Sequence, residues 1–263
     1  MVKHCRRRSF SRTVADKSLL KQIRVLKAEH PFWGYRRIWA YLRFVAGLSV
    51  NKKRVYRLLK ENNLLVGRNI HLLAKRVSHT RKPRPEHINQ WWGIDMTKVL
   101  TASGWAYVVL VVDWYSKKVV GHYCGEQSKA WHWLAALNKS VNRQFPGGIR
   151  EMEIELNLMS DNGSQPTSRS FMETCAGLGI KQAFTAYNNP KGNADTERMM
   201  RTLKEELCWL REWKSVDVLK AALDTFVENF NDSYLHSALG YKTPNAFEKE
   251  HFENRRATLN LAA

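Results

Sequence analysis

Between Trp91 and Cys124 three apolar runs rich in β-branched and aromatic residues are separated by two short turns. Trp91–Leu100, Trp105–Val112 and Lys118–Cys124 read as strands, and connections as short as Thr101-Ala102-Ser103-Gly104 and Asp113–Lys117 force them into an antiparallel meander. The first strand carries an oddity. Asp95 interrupts the apolar run Trp92-Gly93-Ile94-Asp95-Met96-Thr97, where a buried carboxylate without a partner is costly. It is either hydrogen-bonded across the sheet or placed at a strand end to face a cleft.

Downstream the period changes. Ser128–Phe145 has helical spacing (Trp131, Leu134, Leu137, Val141) and stops at Pro146-Gly147-Gly148. Asn157–Ser160 reads as a fourth strand, Phe171–Leu178 as a helix, Ile180–Phe184 as a fifth strand and Asn193–Trp209 as a long helix. Three strands, then alternating helices and strands, describe a mixed-sheet α/β fold whose sites form at strand ends. Two further carboxylates fall where such a site would lie. Asp161 leaves the fourth strand into Asn162-Gly163-Ser164, and Glu197 follows near the start of the long helix. On that helix Thr196, Met200, Leu203, Leu207 and Leu210 form an apolar stripe, while Arg201 and Lys204 project beside Glu197. Asp195 points elsewhere on an ideal helix, and Asp113 reads as a turn residue. Taken singly, Asp161 is a plausible turn aspartate and Glu197 a plausible surface ion-pair partner. Together the three are hard oxygen donors suited to magnesium.

Charge is the second constraint. Residues 1–89 hold 23 Lys and Arg against Asp16, Glu29, Glu61 and Glu86, so the whole +19 excess of the chain lies there and the rest is neutral. A segment so biased attracts a polyanion, and nucleic acid fits better than an anionic membrane. Residues 1–16 read as a basic arm. Leu19, Leu20, Ile23 and Leu26 mark a helix ended by His30-Pro31. Ile38, Tyr41, Leu42 and Val45 mark a second, Gly47 a turn, and Asn51 a cap for a third, in which Val55, Leu58 and Leu59 face inward. Lys52, Lys53, Arg54, Arg57 and Lys60 cover the remainder of that helix, giving a helix-turn-helix-like DNA-binding face. A basic, proline-rich linker follows at Lys75–His87.

No apolar run approaches the roughly 20 residues of a membrane span, and the arginines at 6–8 have no apolar segment behind them, which argues for a cytoplasmic protein. The four cysteines are scattered and the nine histidines dispersed. A zinc ribbon or disulfide scaffold is therefore not expected.

The motifs resemble those of a known family. Gly34-Tyr35-Arg36-Arg37-Ile38, Trp92-x-x-Asp95-Met96-Thr97, Asp161-Asn162-Gly163-Ser164-Gln165, Lys191-Gly192-Asn193-Ala194-Asp195-Thr196-Glu197 and Leu203-Lys204-Glu205-Glu206-Leu207 are similar to the OrfB product of DDE transposases of the insertion-sequence-three family, related to retroviral integrases. The tail Asn231–Pro244 also resembles the family's ending, except that Tyr234 stands where an arginine is usual. The resemblance implies a ribonuclease H-like mixed five-stranded sheet with flanking helices, preceded by a small all-α helix-turn-helix-like domain. It implies a DNA-binding domain over 1–74, a linker over 75–89, a catalytic core over 90–212 and a helical extension over 213–263. Asp95, Asp161 and Glu197 would hold two Mg²⁺ ions, with Mn²⁺ able to substitute, and Arg201 and Lys204 would touch the DNA backbone. Tyr187–Gly192 would be a loop that orders on DNA. The implied partners are element ends and target DNA, further copies of the chain on that DNA, and an upstream OrfA-type protein or fusion. Transposition with strand cleavage and strand transfer is the implied activity. A catalytically silent DNA-binding regulator and a ribonuclease H-like nuclease without strand joining are the alternatives.

Overall fold

The structure, a computed structural model, describes residues 10–66, 83–149, 155–185 and 192–262. The chain divides into two compact units, Met1–Arg76 and Val77–Ala263. Residues 1–9 and 75–82 of the expected arm and linker, and residues 187–191 of the expected loop, lie outside the described residues.

The first unit contains α1 (Phe10–Glu29), α2 (Tyr35–Ala40) running into a π turn at Tyr41–Val45, and α3 (Lys52–Glu61). Leu19, Ile23 and Leu26 of α1 are buried, as are Ile38 and Leu42 of the second helical segment and Val55, Leu58 and Leu59 of α3. Asn51 caps α3 by accepting from the Lys53 amide at 2.8 Å, which satisfies a donor that a helix start otherwise leaves open. The sequence reading of a basic arm through residue 16 is corrected here. Helix α1 already begins at Phe10, and Asp16 is buried in it. A tertiary partner replaces the missing apolar pattern, because Arg54 and Arg57 of α3 each bond Asp16 at 2.7 Å.

In the second unit β1 (Trp91–Thr101), β2 (Gly104–Asp113) and β3 (Val119–Gly125) form the meander, followed by α4 (Ala130–Gln144), β4 (Asn157–Ser160), α5 (Arg169–Gly177), β5 (Lys181–Phe184) and α6 (Ala194–Leu203). The sheet order is β3-β2-β1-β4-β5. β1–β2 and β2–β3 pair antiparallel, whereas β1–β4 and β4–β5 pair parallel. This is the ribonuclease H-like mixed sheet. Strand periodicity sorts its faces. Trp92 and Ile94 join Val109, Val111, Trp133, Leu137, Phe171 and Ile180 in one core beneath α4 and α5. Gly93 and Asp95 look the other way, toward α6.

α6 continues into a π turn at Lys204–Cys208, then α7 (Val216–Ser233) and α8 (Pro244–Ala262) complete the unit. The π turn corrects the expected stripe. One extra residue in a turn advances the phase of all that follows by about 100°, so Cys208 takes the buried position expected of Leu207, and Leu210 is 43% exposed. Met199 joins Thr196, Met200 and Leu203 on the buried face. α7 lies against β3, where the Asn231 side chain accepts from the Val119 amide and donates to the Val119 carbonyl, both at 3.0 Å. Cys124, Cys175 and Cys208 are free and buried. Burial pushes the first two thiols up to about 12 and the third to about 11, which leaves them chemically quiet.

Candidate active site

Parallel register brings the two aspartates abreast. Gly93 pairs with Met159, so two residues further along each chain come Asp95 and Asp161, on the same side of neighbouring strands. Asp95 is half-buried in β1, and its Oδ1 accepts from the following Met96 amide at 2.7 Å. Asp161 is exposed one residue beyond β4, and its Oδ1 accepts from the Gly163 amide at 3.1 Å. The turn that carries it is tied to the end of β5 by Asn162, whose amide donates to Thr185 O at 2.7 Å. Glu197 is exposed in the first turn of α6.

Asp95 registers all of these neighbours. Its carboxyl is pushed up to about 6, first by burial and then by the like charges of Asp161 and Glu197, against the Met96 amide and the Lys204 ammonium. A carboxylate from within β1, one just beyond the end of β4, one from a helix start and a lysine from the turn after that helix therefore share a single electrostatic neighbourhood. Among the described residues, no three His, Cys, Asp or Glu side chains are grouped closely enough to form a metal cage as they stand. The donor set nevertheless fits hard divalent cations, since it is all oxygen and its mutual repulsion is what a cation relieves.

The remaining candidates separate. Lys204 acts on Asp95, while Arg201 is turned to Glu205 at 2.8 Å. Asp195 pairs with Lys117 at 3.5 Å. Asp113 is fully buried and accepts from Asn89 N, Tyr115 N, Ser116 N and Ser116 Oγ, so it holds the β2–β3 turn. Tyr234 is buried and stacks on Phe230 with ring centroids 4.7 Å apart, an aromatic packing contact where the resemblance suggests a cation.

On α3, Lys53 and Lys60 are exposed, Lys52 lies over the Trp39 ring at 4.2 Å, and Arg54 and Arg57 grip Asp16. Sequence reasoning treated these five as one basic face. It also passed over Trp114 and saw Thr196 only as part of a stripe, although Trp114 Nε1 donates to Thr196 Oγ1 at 2.9 Å. Gly93, isolated inside a strand pattern, was the available signal of a close approach.

Comparison with known proteins follows the same divisions. Residues 85–190 match a family model described as Integrase core domain, residues 178–244 match a second model of that description, and residues 14–69 match an HTH-like domain. Transposase InsD for insertion element IS2A/D/F/H/I/K of Escherichia coli is 27% identical over 259 residues, covering 91% of this chain and 81% of that protein. Transposase InsD for insertion element IS2-9 of Escherichia coli strain K12 is likewise 27% identical, covering 91% and 80%. Among solved structures, the catalytic core domain of BIV integrase is 22% identical with a TM-score of 0.46, covering 63% of this chain and 99% of that one. The HTLV-2 integrase catalytic core domain in complex with magnesium is 18% identical with a TM-score of 0.44, covering 62% and 99%.

Proposed function

We propose, for a chain that belongs to the insertion-element transposases of the retroviral integrase superfamily, that Asp95, Asp161 and Glu197 form the site of DNA strand cleavage and strand transfer. The observation that carries this reading is the parallel register of β1 and β4, which sets Asp95 and Asp161 abreast, with the charges of Glu197 and Lys204 also acting on Asp95. Divalent cations, magnesium first and manganese in its place, would supply when bound the Lewis-acid charge that polarises the scissile phosphate and acidifies the attacking hydroxyl.

The chain's own part is positional. Asp95 is fixed by the sheet and by its Met96 hydrogen bond, so it is the rigid member of the set. Asp161 is held by a turn and Glu197 by a helix start, which lets both approach Asp95 once their repulsion is relieved. Lys204 supports the negative charge that gathers on the phosphate. In cleavage, a water oxygen attacks phosphorus while the bond to the 3′ oxygen breaks, and that oxygen leaves as a 3′-hydroxyl. In joining, the 3′-hydroxyl oxygen attacks a target phosphate in line and displaces the target's own 3′ oxygen. Neither step needs a covalent protein–DNA intermediate.

Element ends and target DNA are the substrates on this reading, with several copies of the chain assembled on them and an upstream helix-turn-helix partner available for end recognition. The domain boundaries follow the same reading: DNA binding over 1–74, a linker over 75–89, the catalytic core over 90–212 and a helical extension over 213–263.

The test uses labelled duplexes carrying the parent element's ends, with Mg²⁺. Asp95→Asn, Asp161→Asn and Glu197→Gln should each lose cleavage and joining while duplex binding in a gel-shift assay survives. Strand transfer by any one of the three variants at the wild-type rate would remove that residue from the site.

A further inference from the structure

Glu197 stands in the first turn of α6, where its amide donates to Asn193 O at 2.9 Å. What holds that turn lies just outside the carboxylates. Thr196, the residue before Glu197, is fully buried, and its hydroxyl oxygen accepts the 2.9 Å bond from Trp114 Nε1. Trp114 is itself fully buried and stacks on Trp91, with ring centroids 5.7 Å apart and planes 10° from parallel. It follows β2 directly, in the turn that Asp113 pins from beneath. Lys117 of the same turn donates to the Trp114 carbonyl and pairs with Asp195 at 3.5 Å. One turn thus grips two consecutive residues immediately before Glu197.

The floor of this contact is Gly93. A Cβ on Gly93 would stand 1.8 Å from Thr196 Oγ1, 2.5 Å from Trp114 Nε1 and 2.8 Å from Asn193 Oδ1. Only the absence of a side chain lets the hydrogen bond sit on the strand. Asp95 follows two residues later on the same strand and the same face. The distance from Asp95 to the start of α6 is therefore set across a single glycine, with a stacked indole as the fixed reference.

We infer that the Trp114–Thr196 hydrogen bond, seated over Gly93, is a positioning device that sets Glu197 against Asp95 and Asp161; this rests on the reading of those three carboxylates as the reactive site. Neither residue touches substrate. Each acts through the placement of Glu197, and a misplacement of about 1 Å costs on the order of 100-fold in rate.

Thr196→Val keeps volume and burial but removes the acceptor, and Thr196→Ser restores the hydroxyl. Trp114→Phe removes the donor from the other side and keeps the test open if the valine variant folds poorly. The full chain carrying each change, and separately Glu197→Gln, is measured for strand-transfer kcat and KM, for Mn²⁺ binding by electron paramagnetic resonance, and for melting temperature. In Thr196→Val and Trp114→Phe, kcat should fall roughly 100-fold with KM within about twofold of wild type. Mn²⁺ affinity should fall about tenfold, as when other outer residues that orient a ligand are lost. Thr196→Ser should recover both to within about threefold of wild type.

The inference is overturned if serine is as impaired as valine. It is also overturned if the losses appear only in KM and melting temperature, or if valine and phenylalanine behave as wild type while Glu197→Gln is inactive. Wild-type strand transfer by Glu197→Gln would instead bring down the carboxylate reading, and the positioning role with it.

Discussion

Asp16 shows how one carboxylate can convert a basic surface into structure. Its two oxygens are divided between Arg54 Nε and Arg57 Nη2, each at 2.7 Å, and Arg57 also reaches Glu61 at 3.0 Å. Burial raises the Asp16 pKa, but the bonds and charges of Arg57 and Arg54 outweigh it and hold the group below its usual 3.8. A depressed acid stabilises the fold above its unfolded pKa and loses that contribution as pH falls through the folded one. Asp16→Asn should therefore cost about 2 kcal/mol at neutral pH. That penalty should shrink below about pH 4 as wild-type Asp16 takes up its proton. Melting temperatures of wild type and variant across that range measure the gap, and a gap independent of pH would mean that packing, not charge, is what the variant loses. Asp16 was legible only as one of four acids in a basic third. Its partners lie some forty residues away, and nothing in local spacing reveals them.

At the scale of elements, α3 was drawn well from its sequence because an asparagine cap and an inward apolar row are local facts. The use of its basic residues was not local. With Arg54 and Arg57 engaged by Asp16, the exposed cations Lys53 and Lys60 are the ones to examine for DNA contact. Replacing both by Ala should reduce the slope of log affinity against log salt by up to about 2, roughly 0.9 for each phosphate neutralised, with little change in melting temperature. An unchanged slope would take this helix out of the interface. The long helix after residue 193 was legible up to Leu203 for the same reason as α3. It failed beyond, because a π turn inserts one residue without any breaker in the sequence, and Trp209 and Leu210 are thereby turned outward.

For the molecule as a whole, the meander and the parallel strands that follow it could be read from periodicity and turns. The role of the C-terminal helices could not. α7 protects the edge strand β3 through one side chain, since the Asn231 amide closes both the N–H and the C=O of Val119. Glu248 of α8 receives Ser116 Oγ at 2.9 Å and Lys118 Nζ at 2.5 Å, bracing the β2–β3 turn. These contacts span more than a hundred residues of sequence. Asn231→Ala would leave two buried backbone groups open and should destabilise the unit by about 2–6 kcal/mol, reckoned at about 1–3 kcal/mol for each unsatisfied group. Equilibrium urea unfolding measures it, and a loss under about 1 kcal/mol would show that water replaces the amide at that edge.

Strand order also sets a clock. β4 takes its place beside β1 only after β2, β3 and α4 have been made, and Glu197 arrives later still, on α6. A nascent chain leaving the ribosome therefore carries its basic helical unit long before Asp95, Asp161 and Glu197 are all made. On the proposed reading, a message cut short between α3 and α6 would yield a product that keeps the nucleic-acid-holding helices but lacks the third carboxylate needed to break a strand.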